Sequence, residues 1–425
     1  MKLPLVLALA LLPSAAGAYP YDSRLSARLK GELEKQLVSV PAGRELLERL
    51  AATKNYAGLK VLARKDDSVA FAWFDPEDNA VYLNSRFILK FFAARNFRDA
   101  KIVRILCGNK EVRAELVKYI APIYLHELVH ALQCYLYPEY RQDAGANPLE
   151  FEYEAYLTED IYVHERMKKD PALLRAFIRG TSTDLYTANV FGSYFALSLD
   201  PDKYREKIRR IYEERLGGYV SMEKAAARKQ NGLADARIFA LANGKTKAYD
   251  NDAAALERLQ REKAEYAKFL DGFYKERWPS FSADALLFVG GIALKEKNYP
   301  LALDCLAVAD ANAARAGLTP EALEALKTRG ALAVLEASSF VRDARAKMGL
   351  EVLSQHLKAL EEACAATGRP FPEDLKALAE ETYPKAMAFY AARLAGEKDP
   401  SRKDYYKENL DYFAARAESG PAAPE

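Results

Sequence analysis

Ile123-Tyr124-Leu125-His126-Glu127-Leu128-Val129-His130-Ala131-Leu132-Gln133 contains no turn former, and apolar residues surround its few polar ones. That pattern predicts a buried helix, and helical periodicity extends it from about Glu111 to Tyr135, with a stop at the turn around Pro138. His126 and His130 are four residues apart, so on a helix they share one face and both imidazoles can reach one ion. Zinc accepts neutral imidazole nitrogen and, in catalytic sites, keeps a position for water. Glu127, one residue after the first histidine, can reach such a water without ligating the ion, and so fits a general base. The competing reading is a core helix with two satisfied histidines. Two histidines and a glutamate on a buried face would then need partners of their own, because unpaired burial is costly.

Working outward, a second helix is predicted from Leu149 to about Lys169, stopped near Pro171. It carries three candidate carboxylates, Glu150, Glu152 and Glu154. Steps of two residues turn about 200° on a helix, so Glu152 faces away from the other two and all three cannot address one ion. In front of the histidine helix, helical spacing runs from Leu25 to Leu50 and ends near Ala51-Ala52. Leu59 to Ala63 and Val69 to Phe74 are β-rich. The turn formers Asp75-Pro76-Glu77-Asp78-Asn79 separate Val69–Phe74 from the alternating strand Ala80–Asn84, which predicts a hairpin.

The histidine helix resembles the active-site helix of the zincin metallopeptidases, and Glu150-Phe151-Glu152-Tyr153-Glu154-Ala155-Tyr156 resembles the second helix of their gluzincin branch. The resemblance covers roughly Val69 to Glu165. It implies an α+β, predominantly helical fold and one zinc ion held by His126, His130 and a glutamate with a small residue three positions later. Glu152, followed by Ala155, meets that pattern; Glu150 has bulky Tyr153 there and Glu154 has Leu157, with Glu154 the runner-up. It further implies Glu127 as general base, a peptide or protein substrate, and a strand at Ala80–Asn84 lining the substrate cleft, where an edge could pair with an extended peptide. Tyr156 departs from the pattern, because it stands where an acidic residue often orients a ligand histidine. Asp143 or Asp160 would then have to do so. The alternative is a non-catalytic, zinc-containing binding or scaffold protein of the cell envelope.

The rest of the chain is helical. Leu256, Leu259, Tyr266, Leu270 and Phe273 form one stripe. Gly290, Tyr299, Ala302 and Ala309 resemble the signature positions of a tetratricopeptide repeat, with Asn298-Tyr299-Pro300 at the turn; an ordinary helical bundle explains the same residues equally well. The domain order resembles periplasmic metallopeptidases that carry such repeats. The expected organisation is a signal segment 1–18, a zincin-like domain 19–200, a helical connection 201–280, a repeat-like region 281–395 available to a protein partner, and a charged tail 396–425.

Other signals are excluded or weak. Lys plus Arg total 62 against 60 Asp plus Glu, which argues against a nucleic-acid partner. Gly244-Lys245-Thr246 lacks the earlier glycine of a P-loop, since Phe239 stands there, and no serine-hydrolase elbow occurs. His164 reads as a helix-surface residue and His356 as unrelated to the metal. Cys134 reads as core packing, and Tyr186 and Tyr194 are candidates for oxyanion stabilisation by residue type alone. Sequence order suggests the disulfide pairs Cys107–Cys134 and Cys305–Cys364.

Met1-Lys2, the apolar run Leu3–Leu12 and Ala16-Gly17-Ala18 have the order of a secretory signal, so the protein is expected to be secreted or periplasmic, without a membrane span after cleavage. N-terminal sequencing of the protein from its native host should therefore begin at Tyr19. Recovery of Met1 from a cytosolic fraction would contradict export.

Overall fold

The computed structural model describes residues 21–54, 56–62, 72–76, 78–85, 88, 91, 102–136, 148–179, 193–194, 197–198, 202, 204–209, 268, 272, 276, 278–316, 319–398 and 400–419. The expected signal segment, Asp143, Tyr186, Gly244-Lys245-Thr246 and the stripe from Leu256 to Phe273 lie outside these residues, as does the side chain of Glu150. The described chain is predominantly helical with one three-stranded sheet. It divides into two compact units, Met1–Pro171 with Ser182–Glu276, and Ala172–Thr181 with Arg277–Glu425.

The first unit opens with α1 (Ser23–Leu37) and α2 (Pro41–Ala52). Asp22 caps α1 by accepting the Leu25 N–H at 2.8 Å, and Leu25, Leu29, Leu33 and Leu37, each four residues after the last, make its buried stripe. The helix expected to run unbroken from Leu25 to Leu50 is thus two. Pro41 has no N–H, its ring would clash with the carbonyl four residues back, and it drives the preceding residue out of the helical region; Val40 sits at φ −133°, ψ 156°. Val40 has no side-chain oxygen to cap α2. The carboxylate of Glu165, far along the chain, accepts the Ala42 N–H at 2.8 Å instead. The corner is tight, since a Cβ on Gly43 would lie 2.3 Å from the Leu37 carbonyl oxygen.

The sheet consists of β1 (Gly58–Val61), β2 (Ala72–Asp75) and β3 (Ala80–Leu83) in the order β1-β3-β2. The β2–β3 hairpin forms as expected, with Phe74 opposite Val81. Asn79 adopts φ 47° in its turn, a conformation that asparagine tolerates better than most residues. β1 then pairs in parallel with the other side of β3. The strand at Ala80–Leu83 is therefore the centre of the described sheet and not an edge that could take a peptide. β2 is the edge strand beside it.

Two helices follow, α3 (Ile102–Gly108) and α4 (Lys110–Leu136). Asn109 caps α4, accepting the N–H groups of Glu111 and Val112 at 3.1 Å each. The buried Arg113 guanidinium reaches both Glu32 oxygens, at 2.8 and 2.9 Å, and the Leu106 carbonyl at 2.6 Å, which ties α1, α3 and α4 together. From Ile120 to Gln133 every residue of α4 is buried, so this is a core helix surrounded on all sides. Pro122 within it cannot bond the Lys118 carbonyl. Arg166, on α5 (Pro148–Lys169), donates to that carbonyl at 2.8 Å and so fastens the α4–α5 pair at the end away from the histidines.

The second unit contains α6 (Ala172–Ile178), a helix α7 that includes residues 278–295, then α8 (Tyr299–Ala316), α9 (Pro320–Ala344), α10 (Leu350–Ala366), α11 (Glu373–Gly396) and α12 (Pro400–Ser419). α7 and α8 form a helix–turn–helix closed by Asn298. Its N–H bonds the Ala293 carbonyl at 2.9 Å, while its own carbonyl accepts the Ala302 N–H at 3.0 Å. Gly290 allows the pair to close, because a Cβ there would lie 3.1 Å from Cys305 Cβ. α10 ends in a Schellman turn: Gly368, at φ 63°, bonds the Ala365 carbonyl and Arg369 bonds that of Cys364. α12 docks through buried Phe413 and through Glu361 of α10, whose buried carboxylate accepts from Tyr383 at 2.7 Å, Tyr412 at 3.0 Å and Arg416.

All four cysteines are free thiols, so the pairs suggested by sequence order do not form. Cys305 and Cys364 serve as small buried core residues, and burial pushes both thiols up. Among the described residues no helix is long and apolar enough to cross a membrane.

Gly43→Ala should destabilise the first unit by about 1–3 kcal/mol, because the added methyl meets backbone that cannot rotate away. Gly31→Ala, in α1 with nothing within 4 Å of the new Cβ, should instead stabilise by about 0.5–1 kcal/mol. Urea unfolding monitored by circular dichroism separates the two. Equal effects would contradict the packing at the α1–α2 corner.

Candidate metal centre

α4 and α5 pack side by side and converge on three polar side chains. His126 Nε2 lies 3.1 Å from Glu152 Oε2 and 3.2 Å from His130 Nε2, and His130 Nε2 lies 3.5 Å from Glu152 Oε1. Ligand atoms from all three residues fall within 4.8 Å of one another, and all three are buried. Ala155, whose side chain is a single methyl, is fully buried on α5. Of the three glutamates weighed on α5, Glu152 points at the imidazoles. Glu154 points elsewhere, with its carboxylate 2.9 Å from Gln133 Nε2.

The electrostatics of the group fit a cation. Burial by itself would lower the pKa of His126, yet the Glu152 and Glu159 carboxylates outweigh it and hold that pKa well above the usual histidine range. For His130 burial is likewise overcome by Glu152. Burial would raise Glu152, but the two histidines hold it below the usual carboxylate range. The carboxylates around the two rings thus favour positive charge at the point where the three side chains meet. A metal ion held by two nitrogens and one oxygen could supply that charge.

The far side of each ring is also engaged. His126 Nδ1 lies 3.2 Å from Glu159 Oε2, and His130 Nδ1 lies 2.8 Å from Gln133 Oε1. An N–H on each Nδ1 leaves each Nε2 lone pair aimed at the shared point, the arrangement in which histidines bind metals. Asp160, one of the two aspartates expected to orient a ligand histidine, instead accepts from the Tyr204 hydroxyl at 2.8 Å; burial and neighbouring Glu159 raise its pKa well above normal. Glu159 holds the orienting place. It stands at the seventh position after Glu152, which shares that residue's helix face as the fourth does. Tyr156, at that fourth position, packs its ring edge-on to His126 with centroids 4.7 Å apart.

Glu127 sits on α4 beside the three ligands without joining them. Its carboxylate is buried and accepts a hydrogen bond from the Phe74 backbone N–H on β2. Burial raises its pKa, while His130, His126 and the Phe74 N–H oppose the rise. The edge strand of the sheet thus lies directly against the group. His164 is buried, not a surface residue, and pairs through Nδ1 with the Tyr194 hydroxyl at 2.9 Å. That contact commits the tyrosine proposed from sequence for oxyanion stabilisation. His356, in the second unit, bonds the Val352 carbonyl, and Cys134 stands outside the ligand group.

No protein-family model, curated protein or solved structure matches the chain. What the geometry establishes is a mostly helical protein with a buried His126–His130–Glu152 group able to hold a metal ion.

Glu159→Ala should weaken metal binding on the order of 10–100-fold by freeing the His126 ring, and His126→Ala should abolish it. Titration of zinc against a chromophoric chelator measures both. Unchanged affinity in Glu159→Ala would show that the 3.2 Å contact has no part in holding the ligand.

Proposed function

We propose that the protein is a zinc-dependent metallopeptidase of the gluzincin type, acting outside the cytoplasm on peptides or proteins. The observation that carries this reading is Glu127: a buried carboxylate held beside the ligand group by the backbone of an edge strand, and left out of the ligand set. A purely structural zinc site gives no role to such a group, since its four positions are closed by protein ligands.

Bound zinc would polarise a substrate carbonyl and lower the pKa of a coordinated water. Glu127 would take the proton of the attacking water as general base and hand it to the departing amine as general acid. The Phe74 N–H fixes the carboxylate for that exchange. Glu159 and Gln133 hold the two imidazoles in register. β2 offers the edge along which an extended peptide could align its backbone with the scissile bond near Glu127, a role that falls to this strand and not to Ala80–Leu83.

Glu127→Gln should retain zinc and lose peptide hydrolysis by at least the ~10²–10⁴-fold typical of a removed general base. Hydrolysis by the wild-type protein should disappear with a chelator and return with zinc. Metal analysis beside cleavage of a peptide library decides. Full activity in Glu127→Gln would reject the mechanism, and a zinc-bound wild-type protein that cleaves nothing would support the non-catalytic scaffold instead.

A further inference from the structure

The Gln133 amide makes three contacts that together permit one orientation. Its Nε2 lies 3.0 Å from the Phe151 carbonyl oxygen and 2.9 Å from Glu154 Oε2, and its Oε1 lies 2.8 Å from His130 Nδ1. A backbone carbonyl and a carboxylate can only accept hydrogen bonds, so the two amide hydrogens must face them. Turning the amide over would set its oxygen against two acceptors in a buried place, leaving all three unsatisfied. Gln133, at 3% exposure, and Glu154, at 8%, have little water to compensate. With the amide so fixed, its oxygen faces His130 Nδ1 and requires a proton there. The proton on Nδ1 leaves Nε2 with its lone pair, and Nε2 is the atom 3.5 Å from Glu152 and 3.2 Å from the other imidazole.

We propose that Gln133 and Glu154 form a tautomer lock for His130, as positioning residues that reach the metal only through that ring. The lock rests on the metal reading of the site for its purpose but not for its geometry. It explains why the first turns of α5 place carboxylates on two faces. Glu152 addresses the ion. Phe151 and Glu154, three residues apart and therefore neighbours on the helix surface, grip the amide that sets the opposite side of His130. One helix thus supplies a ligand and the orientation of a second ligand carried by α4. His126 is held differently, by a single carboxylate from Glu159. A carboxylate tolerates more proton arrangements than an amide whose nitrogen end is anchored, so His130 is the ring whose tautomer is dictated.

The chain has only four histidines, so selective ¹⁵N-histidine labelling resolves the ring nitrogens individually. In the full-length, metal-free protein under alkaline conditions, His130 should carry its proton on Nδ1. Gln133→Met, close in shape but without hydrogen-bonding groups, should move protons onto Nε2 of His130 and raise the zinc dissociation constant on the order of 10–100-fold, with the His126 pattern unchanged. Glu154→Leu, which leaves Gln133 in place, should shift the same signals in the same direction by less. It serves as the test if Gln133→Met does not fold. A wild-type His130 tautomer and zinc affinity in either folded variant overturns the lock. Should the wild-type protein take up no zinc, the metallopeptidase reading fails, while the tautomer shift in the metal-free variants still decides the lock.

Discussion

The contact between His126 and Glu152 is the constraint around which the first unit is arranged. Both side chains are about 1% exposed, at a depth where ionisable groups persist only when each is paired. The pairing forces α4 and α5 to lie close at this level, and Ala155 makes that approach possible. It also commits the neighbours. Glu159 lies against the outer nitrogen of His126, Gln133 against that of His130, and Glu154 and Phe151 hold the Gln133 amide. A single buried group therefore draws in a polar network that runs from Phe151 to Glu159 on one helix and from His126 to Gln133 on the other, about two turns of each. Half-satisfied, such a network would be worse than an apolar core.

The remainder of the first unit works to shield this network from water. α4 has no solvent face between Ile120 and Gln133, so α1, α2, α5 and the sheet all pack against it. Where its backbone is interrupted at Pro122, Arg166 supplies the missing donor from α5. Where α2 lacks a cap, Glu165 supplies the acceptor from the same helix. α5 thus carries, in succession, a candidate ligand, the orienting carboxylate, the cap of α2 and the repair of α4. The sheet makes one contact of a different kind: the Phe74 N–H on β2 reaches Glu127, a carboxylate that neither joins the ligand group nor touches the outer nitrogen of either histidine.

Legibility followed the range of the interaction. The bounds of α4 and α5 were readable because periodicity and stop signals are local, and the observed spans differ from the expected ones by one residue at most ends. The convergence of His126 and His130 was readable because a four-residue step on a helix fixes two side chains relative to each other. Glu152 could be preferred over Glu154 from facing and from the size of Ala155. The break at Pro41 is encoded locally, by the missing N–H and the ring of proline, but helical leucine spacing on both sides masks it. Glu159 was likewise on the right face. Its role depends on where α4 lies, which the sequence of α5 does not state.

What the sequence determined by itself was the predominantly helical character, the spans of α4 and α5, the hairpin, and a pair of histidines one turn apart with a glutamate between, since each of these rests on residues a few positions from one another. What only the tertiary structure decided was every relation across tens of residues. β1 takes the far side of β3 and makes that strand the centre of the described sheet. His164 turns inward to Tyr194. The cysteines remain thiols. Gln133, Glu154 and Glu159 become the groups that orient the histidines. Side-chain identity states what a residue can donate or accept, but the choice of partner depends on which groups the packing of helices and sheet brings within about 3 Å, the reach of a hydrogen bond.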